Sequence, residues 1–145
     1  SRNLKIGIAG IGWVGFQLKR YFEELRDCKR GENLFLLDTD RKKNFADDLN
    51  KAEIIFISVP TPTREDGTCD ISAVADVFRK LEGSKIVVIK STVIPGTTEY
   101  FQKQYPRLRI LFNPEFLTES RAWEDMIKPD RQIVGHTAHP SLYWL

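Results

Sequence analysis

The sequence predicts a doubly wound α/β domain with about six parallel strands and helices on both faces. Three observations point to it. Short apolar runs alternate with stretches of helical periodicity along the 145-residue chain. The runs at 54–59 and 86–90 are almost wholly apolar, as strands buried on both faces are. Gly31, Gly83 and Pro106 punctuate the joins between elements.

The first expected strand, 4–9, runs directly into Gly10-Ile11-Gly12-Trp13-Val14-Gly15. A helix over 13–29 follows, with Val14, Leu18, Tyr21, Phe22 and Leu25 at helical spacing. Strand, G-x-G-x-x-G and helix in this order form the dinucleotide fingerprint of a Rossmann fold. Gly10 permits the tight turn, Gly12 lets a pyrophosphate approach the backbone, and Gly15 lets the helix pack on its strand. The helix start then offers unpaired N–H groups to the phosphates.

The second strand, 34–38, ends in Asp38. A carboxylate there accepts hydrogen bonds from both adenosine ribose hydroxyls and repels a 2′-phosphate, which favours NAD over NADP. Arg41-Lys42-Lys43 follows and reads as a solvated run, with Arg41 placed against the adenosine. A short helix near 43–50 leads to the third strand, 54–59, which opens onto Ser58-Val59-Pro60-Thr61-Pro62-Thr63. A helix over 71–82 precedes the fourth strand, 86–90, which opens onto Lys90-Ser91-Thr92-Val93-Ile94-Pro95-Gly96. Next come a helix over 97–104, a strand over 109–112, a helix over 120–127 and a strand over 132–135. With the winding order 3-2-1-4-5-6, all the carboxyl ends meet on one edge, and the fourth strand lies beside the first.

The fifth strand runs into Asn113-Pro114-Glu115. Asn113 suits a helix cap and Pro114 the first helical position. Glu115 and Glu119 then share a face, and two neighbouring carboxylates resist ionising together, which raises one toward general-base use. Taken alone, the segment also reads as ordinary helix-start chemistry with Glu119 solvated. Thr92, beside the switch point, is placed to position a water or a sugar hydroxyl; alone it also reads as a turn residue or a cap.

Composition excludes several classes. The formal net charge is +2 with acids and bases interspersed, so no basic stripe for nucleic acid is present. No run has the pattern of a signal peptide or the length of a membrane span. Cys28 and Cys69 are too few for a disulfide framework, and a reducing cytoplasm is expected. His136 and His139 lack further ligands nearby, so no metal site is expected. The length suits one domain over 1–145. The closing Ser-Leu-Tyr-Trp-Leu145 is apolar and suited to docking on a further domain or a second copy.

The motifs together resemble the N-terminal NAD-binding domain of the UDP-glucose/GDP-mannose (nucleotide-sugar) dehydrogenase family. They are Gly10-Ile-Gly-Trp-Val-Gly15, Val59-Pro-Thr-Pro-Thr63 with Asp66-Gly67 and Asp70, Lys90-Ser-Thr-Val-Ile-Pro-Gly-Thr-Thr98, Asn113-Pro-Glu-Phe-Leu-Thr-Glu119 and Pro129-Asp-Arg-Gln-Ile-Val-Gly135. The resemblance implies oxidation of a sugar C6 alcohol through the aldehyde to the carboxylate with two NAD, in polysaccharide precursor synthesis. It implies NAD contacts at Gly10, Ile11, Gly12, Trp13, Val14, Gly15, Asp38, Arg41, Val59, Pro60, Thr61, Ser91, Thr92 and Glu119. Thr92 and Glu119 border the active site, and Glu115 is the general base or the acid that positions a water. The backbone of Phe116, Leu117, Thr118 and Glu119, with Glu115, lines the nucleotide-sugar cleft. A homodimer is expected of the full-length enzyme.

Two departures stand out. The family carries a much longer segment between its ribose Asp and the Val-Pro-Thr-Pro stretch, including a Tyr-Glu-Pro-Gly-Leu-like motif. Its nucleophilic Cys, in a Gly-Gly-x-Cys-like loop, and a catalytic Lys belong to a later domain. The second oxidation needs that thiolate, and Cys69 does not occupy its place. The chain alone is therefore expected to bind NAD without turnover. The other reading is a stand-alone NAD- or nucleotide-binding module.

Overall fold

The computed structural model describes residues 4–112. Five strands and three helices alternate: β1 (Ile6–Ala9), α1 (Trp13–Leu25), β2 (Leu34–Leu37), β3 (Ile54–Ile57), α2 (Ser72–Lys80), β4 (Lys85–Ile89), α3 (Thr97–Gln104) and β5 (Leu108–Phe112). The strands form one parallel sheet in the order β2-β1-β3-β4-β5. The expected sixth strand, 132–135, and the helix over 120–127 lie outside the described residues.

Alternation along the strands sends side chains to two cores. Ile6, Ile8, Leu34, Leu36, Ile54 and Phe56 pack on one face with Leu18 and Phe22 of α1. Phe35, Ile55, Ile57, Val87, Ile89 and Ile110 pack on the other with Val74, Val77 and Phe78 of α2 and Phe101 of α3. Phe22 meets Phe56 at 5.3 Å, and Phe78 stacks on Phe101 at 4.4 Å, so an aromatic contact keys α1 to the sheet and another joins α2 to α3. β1 and β3 are buried along their whole lengths, as central parallel strands must be.

The winding differs from the expected 3-2-1-4-5-6 order. β3, not the strand over 85–89, lies beside β1, in register from Ile6↔Ile54 to Ala9↔Ile57. The cause is the connection after β2. It holds only two 3-10 turns, Arg41–Lys43 and Leu49–Lys51, in place of the expected helix near 43–50. Asp40 and Asp48 cap these turns by accepting from Lys42 N–H and Asn50 N–H, and Asn44 ends the first in the left-handed region at φ 59°. So short a connection leaves no room for a helix and another strand outside β2, and the chain crosses to the far side of β1 instead.

The vacated edge of β2 is closed locally. Leu37 and Ala46 form an antiparallel bridge, Asp38 N–H donates to Phe45 C=O at 2.8 Å, and Asp47 N–H donates to Leu36 C=O at 2.9 Å. The Asp47 carboxylate also accepts from Leu36 N–H at 2.9 Å and takes a two-pronged contact from Arg30 at 2.9 and 3.1 Å. Arg30 in turn lies 4.9 Å over the Phe45 ring. Pairing an exposed edge in this way removes a template for unwanted strand addition. The expected helix 13–29 also stops early, at Leu25, because Asp27 adopts φ 56° and Cys28 N–H closes onto Phe22 C=O.

The hydrogen bond from Arg30, chiefly, holds the Asp47 carboxyl below its usual range, with Leu36 N–H helping against burial. A carboxyl lowered on folding stabilises the protein above its unfolded pKa and loses that contribution as pH falls through the folded value. Asp47→Asn is expected to cost about 1–2 kcal/mol at pH 7. Urea unfolding of both proteins from pH 7 down to pH 2 checks this. The difference should narrow once pH drops below the ordinary carboxylate range, and a difference independent of pH would contradict the assignment.

Candidate functional site

Because the sheet is parallel, β1, β2, β3 and β4 deliver their following loops to one edge. β1 ends in the glycine loop, β2 in Asp38, β3 in Ser58–Thr63 and β4 in Lys90–Gly96. The order reverses between β1 and β3, since the chain leaves β1 for β2 on one side and returns to β3 on the other. A ligand crevice forms where the order reverses.

The glycine loop is shaped for close approach. Gly10 has φ 90°, and a Cβ there would meet the backbone of Ser58 and Val59 at 2.8 Å. A Cβ on Gly15 would lie 1.9 Å from the Gly10 carbonyl oxygen, so α1 packs on the loop only without a side chain. Gly12 faces open space, with nothing within 4 Å of a built Cβ. It is also the N-cap of α1, with no side-chain cap and no acid in the first turn. Among the described residues nothing pairs the first N–H groups of that helix, so they and its partial positive charge are left for an anion to take up. Trp13 follows at 80% exposure, beside the half-exposed Val14.

Asp38 stands at the next strand end. Its Oδ2 accepts from Ile11 N–H at 2.7 Å and its Oδ1 from Asp40 N–H at 2.8 Å. Lys43 Nζ lies 3.5 Å from Oδ2 and donates to Ile11 C=O at 2.9 Å. Burial, the largest single influence, pushes this carboxyl up, but the Asp40 and Ile11 N–H groups and the Lys43 ammonium together hold it low. An ionised carboxylate has about four acceptor positions. Two backbone bonds therefore leave capacity for a ribose diol. Uncapped helix start, open Gly12 and ionised Asp38 fit a dinucleotide.

Hydroxyl groups staple the neighbouring loops. Ser58 Oγ donates to Gly10 C=O at 2.7 Å, Ser91 Oγ to Val59 C=O at 2.6 Å, and Thr61 Oγ1 to Thr92 C=O at 2.6 Å. These bonds join the loops after β1, β3 and β4 into one rim. Thr92 is exposed on it, and Pro60 lies exposed between Val59 and Thr61. Cys69 Sγ sits 3.8 Å from the carbonyls of both Thr61 and Thr92.

The structure thus gathers Gly10, Ile11, Gly12, Trp13, Val14, Gly15, Asp38, Val59, Pro60, Thr61, Ser91 and Thr92 on one edge. Arg41 is exposed on its 3-10 turn, while Lys43 is the member of the basic run that reaches Asp38. Sequence reasoning missed Lys43 and Ser58. The available signals were the three-residue turn that a cap at Asp40 sets up, and a hydroxyl placed directly after a buried strand. Glu115, Phe116, Leu117, Thr118 and Glu119 lie outside the described residues. Among the described residues no group of three or more His, Cys, Asp or Glu is placed to hold a metal ion, and no helix is long and apolar enough to cross a membrane.

Residues 23–144 match the model of the UDP-glucose/GDP-mannose dehydrogenase family, NAD binding domain. The match begins after the glycine loop, so that loop stands on its own geometry. UDP-glucose 6-dehydrogenase 5 of Oryza sativa is 39% identical over 136 residues, covering 81% of this chain and 26% of its own length. UDP-glucose 6-dehydrogenase 2 of the same plant is 37% identical over 152 residues, covering 89% of this chain and 30% of its own length. A match of 152 positions exceeds the 145 residues here, so the rice protein carries residues that this chain lacks. The solved structure of a UDP-glucose dehydrogenase from Pyrobaculum islandicum superposes with a TM-score of 0.63 at 24% identity, covering 90% of this chain and 40% of that one. That likeness speaks for the fold. The chain spans less than a third of either rice relative.

The tight contact at Gly15 makes a direct prediction. Gly15→Ala should lower stability by about 2 kcal/mol or more, because backbone atoms must move to admit the methyl group. Gly12→Ala, facing open space, should cost far less. Thermal unfolding of the two variants side by side checks the ranking, and equal losses would contradict the packing.

Proposed function

Because the chain belongs to the UDP-glucose/GDP-mannose dehydrogenase family, we propose that it is the NAD-binding part of an enzyme that oxidises the C6 alcohol of a UDP-glucose-like nucleotide sugar to the uronate. The observation that carries the reading is the uncapped start of α1 next to an ionised Asp38 at the point where the strand order reverses.

The chain's residues divide the work as follows. Asp38 accepts the adenosine ribose hydroxyls with the lone pairs that Ile11 and Asp40 leave, and Arg41 lies along the adenosine. The N–H groups of Gly12, Trp13 and Val14 hold the pyrophosphate. The stapled rim of Val59, Pro60, Thr61, Ser91 and Thr92 borders the nicotinamide end. When bound, NAD supplies the hydride acceptor, one molecule for each two-electron step. Thr92 orients a water or a sugar hydroxyl. Glu115 takes the proton of the reacting alcohol or positions a water, Glu119 borders the cofactor, and the backbone of Phe116, Leu117 and Thr118 lines the sugar-nucleotide cleft. A thiolate for the second oxidation and a second wall for the cleft come from a further domain. The working enzyme is a cytoplasmic homodimer in this reading.

Calorimetry on the chain tests the cofactor assignment. Asp38→Ala should weaken NAD about ten- to hundredfold, since bonds to a charged acceptor contribute roughly 1.5–3 kcal/mol. Unchanged affinity, or a wild-type preference for NADP, would contradict it. Absorbance at the NADH band with UDP-glucose or GDP-mannose tests the division of labour. This chain alone should give no sustained NADH, and turnover would show the further domain dispensable. In a full-length enzyme, Glu115→Gln should lower kcat more than it raises KM, because a group used in the transition state is removed. A wild-type kcat would end that role.

A further inference from the structure

Among the described residues β2 is an outermost strand of the sheet. Leu37 C=O takes Gly10 N–H at 2.8 Å on the β1 side, so the backbone groups of Leu34, Leu36 and Asp38 point outward. The chain itself meets them. Gly31 N–H donates to Leu34 C=O at 2.9 Å, Asp47 N–H to Leu36 C=O at 2.9 Å, and Asp38 N–H to Phe45 C=O at 2.8 Å. Leu36 N–H donates to the Asp47 carboxylate at 2.9 Å rather than to a backbone carbonyl. Residues 44–47 thus form a strap that stands in for a neighbouring strand, antiparallel to β2 at Leu37↔Ala46. One side chain from outside the strap holds it. Arg30 Nε and Nη2 donate to the Asp47 carboxylate at 2.9 and 3.1 Å, and Nη2 donates to Asn44 C=O at 2.9 Å. The guanidinium also lies 4.9 Å over the Phe45 ring. The strap pairs with Leu34-Phe35-Leu36-Leu37, an uncharged apolar run of high strand propensity.

We propose that residues 44–47 are a releasable strap with Arg30 as its latch, and that release opens β2 to pairing with β2 of a second copy of the chain. Two identical edges related by a two-fold axis meet antiparallel, which is the direction in which the strap already pairs at this edge. A second copy brings the same apolar run and supplies backbone donors and acceptors for Leu36 and Asp38. It also replaces the Asp47 carboxylate, a side-chain substitute, with a backbone carbonyl. An uncovered edge strand is a template for such addition. Being tethered to β2 by a few residues, the strap outcompetes a second copy while its latch holds.

The test compares wild type, Arg30→Ala and Asp47→Asn by sedimentation over a concentration series, with deuterium exchange followed at the Leu36 and Asp38 amides. The Arg30 side chain is 38% exposed and belongs to neither core, so its loss leaves the packing in place. Asp47→Asn keeps the strap's backbone and removes the charge that Arg30 holds, and it decides the matter if Arg30→Ala does not fold. Both variants should self-associate about tenfold or more tightly than wild type. Their Leu36 and Asp38 amides should exchange about tenfold faster than wild type in dilute solution and slow again as the variants associate. Folded variants that associate no more than wild type would overturn the proposal. Association that leaves these two amides as fast as in dilute solution would overturn it too, because the contact would then lie elsewhere.

Discussion

The hydrogen bond from Ile11 N–H to the Asp38 carboxylate, at 2.7 Å, is the contact on which the site depends. It joins the ends of two neighbouring parallel strands across the mouth of the glycine loop. β1 and β2 are already in register from Ile6↔Leu34 to Ala9↔Leu37, and Gly10 N–H continues the ladder onto Leu37 C=O at 2.8 Å. The carboxylate extends that ladder by one more rung with a side chain. The Asp40 and Ile11 N–H groups and the Lys43 ammonium keep the same carboxylate ionised, at the edge where the strand-end loops meet. Loss of Asp38 unties the glycine loop from the end of β2.

The shortened β2–β3 connection is the main individual feature of this chain. Its geometry answers a physical problem, because an outermost parallel strand exposes a row of unpaired backbone groups. Here Phe45, Ala46 and Asp47 turn back along β2, and the Arg30–Asp47 pair fastens them. The connection still delivers Lys43 to Asp38. Economy in the scaffold therefore leaves the β2 side of the crevice supported, although the rice relative carries residues that this chain lacks.

Much of the architecture was legible because its signals are local. The apolar runs of β1 and β3 demanded burial on two faces, and the spacing of Gly10, Gly12 and Gly15 specified a strand-loop-helix with a close backbone approach. The strand order was not legible. It depends on how far the residues after Asp38 can travel, and two aspartate-capped 3-10 turns travel less than the helix expected there. The end of α1 was misplaced by four residues because a left-handed Asp27 leaves no trace in hydrophobic periodicity. Lys43 was hidden in a run of three bases, of which the turn geometry carries only one back to Asp38. Ser58, Ser91 and Thr61 were ordinary strand-end hydroxyls until parallel stacking set each against a neighbouring carbonyl.

Amide shift mapping during NAD titration reports where the dinucleotide sits. The largest changes are expected on Gly12, Trp13, Val14 and the backbone around Asp38, with smaller ones at Thr61 and Ser91. These groups lie at the carboxyl ends of β1, β2, β3 and β4. Changes confined to the opposite edge, near Lys5, Asn33 and Glu53, would contradict it.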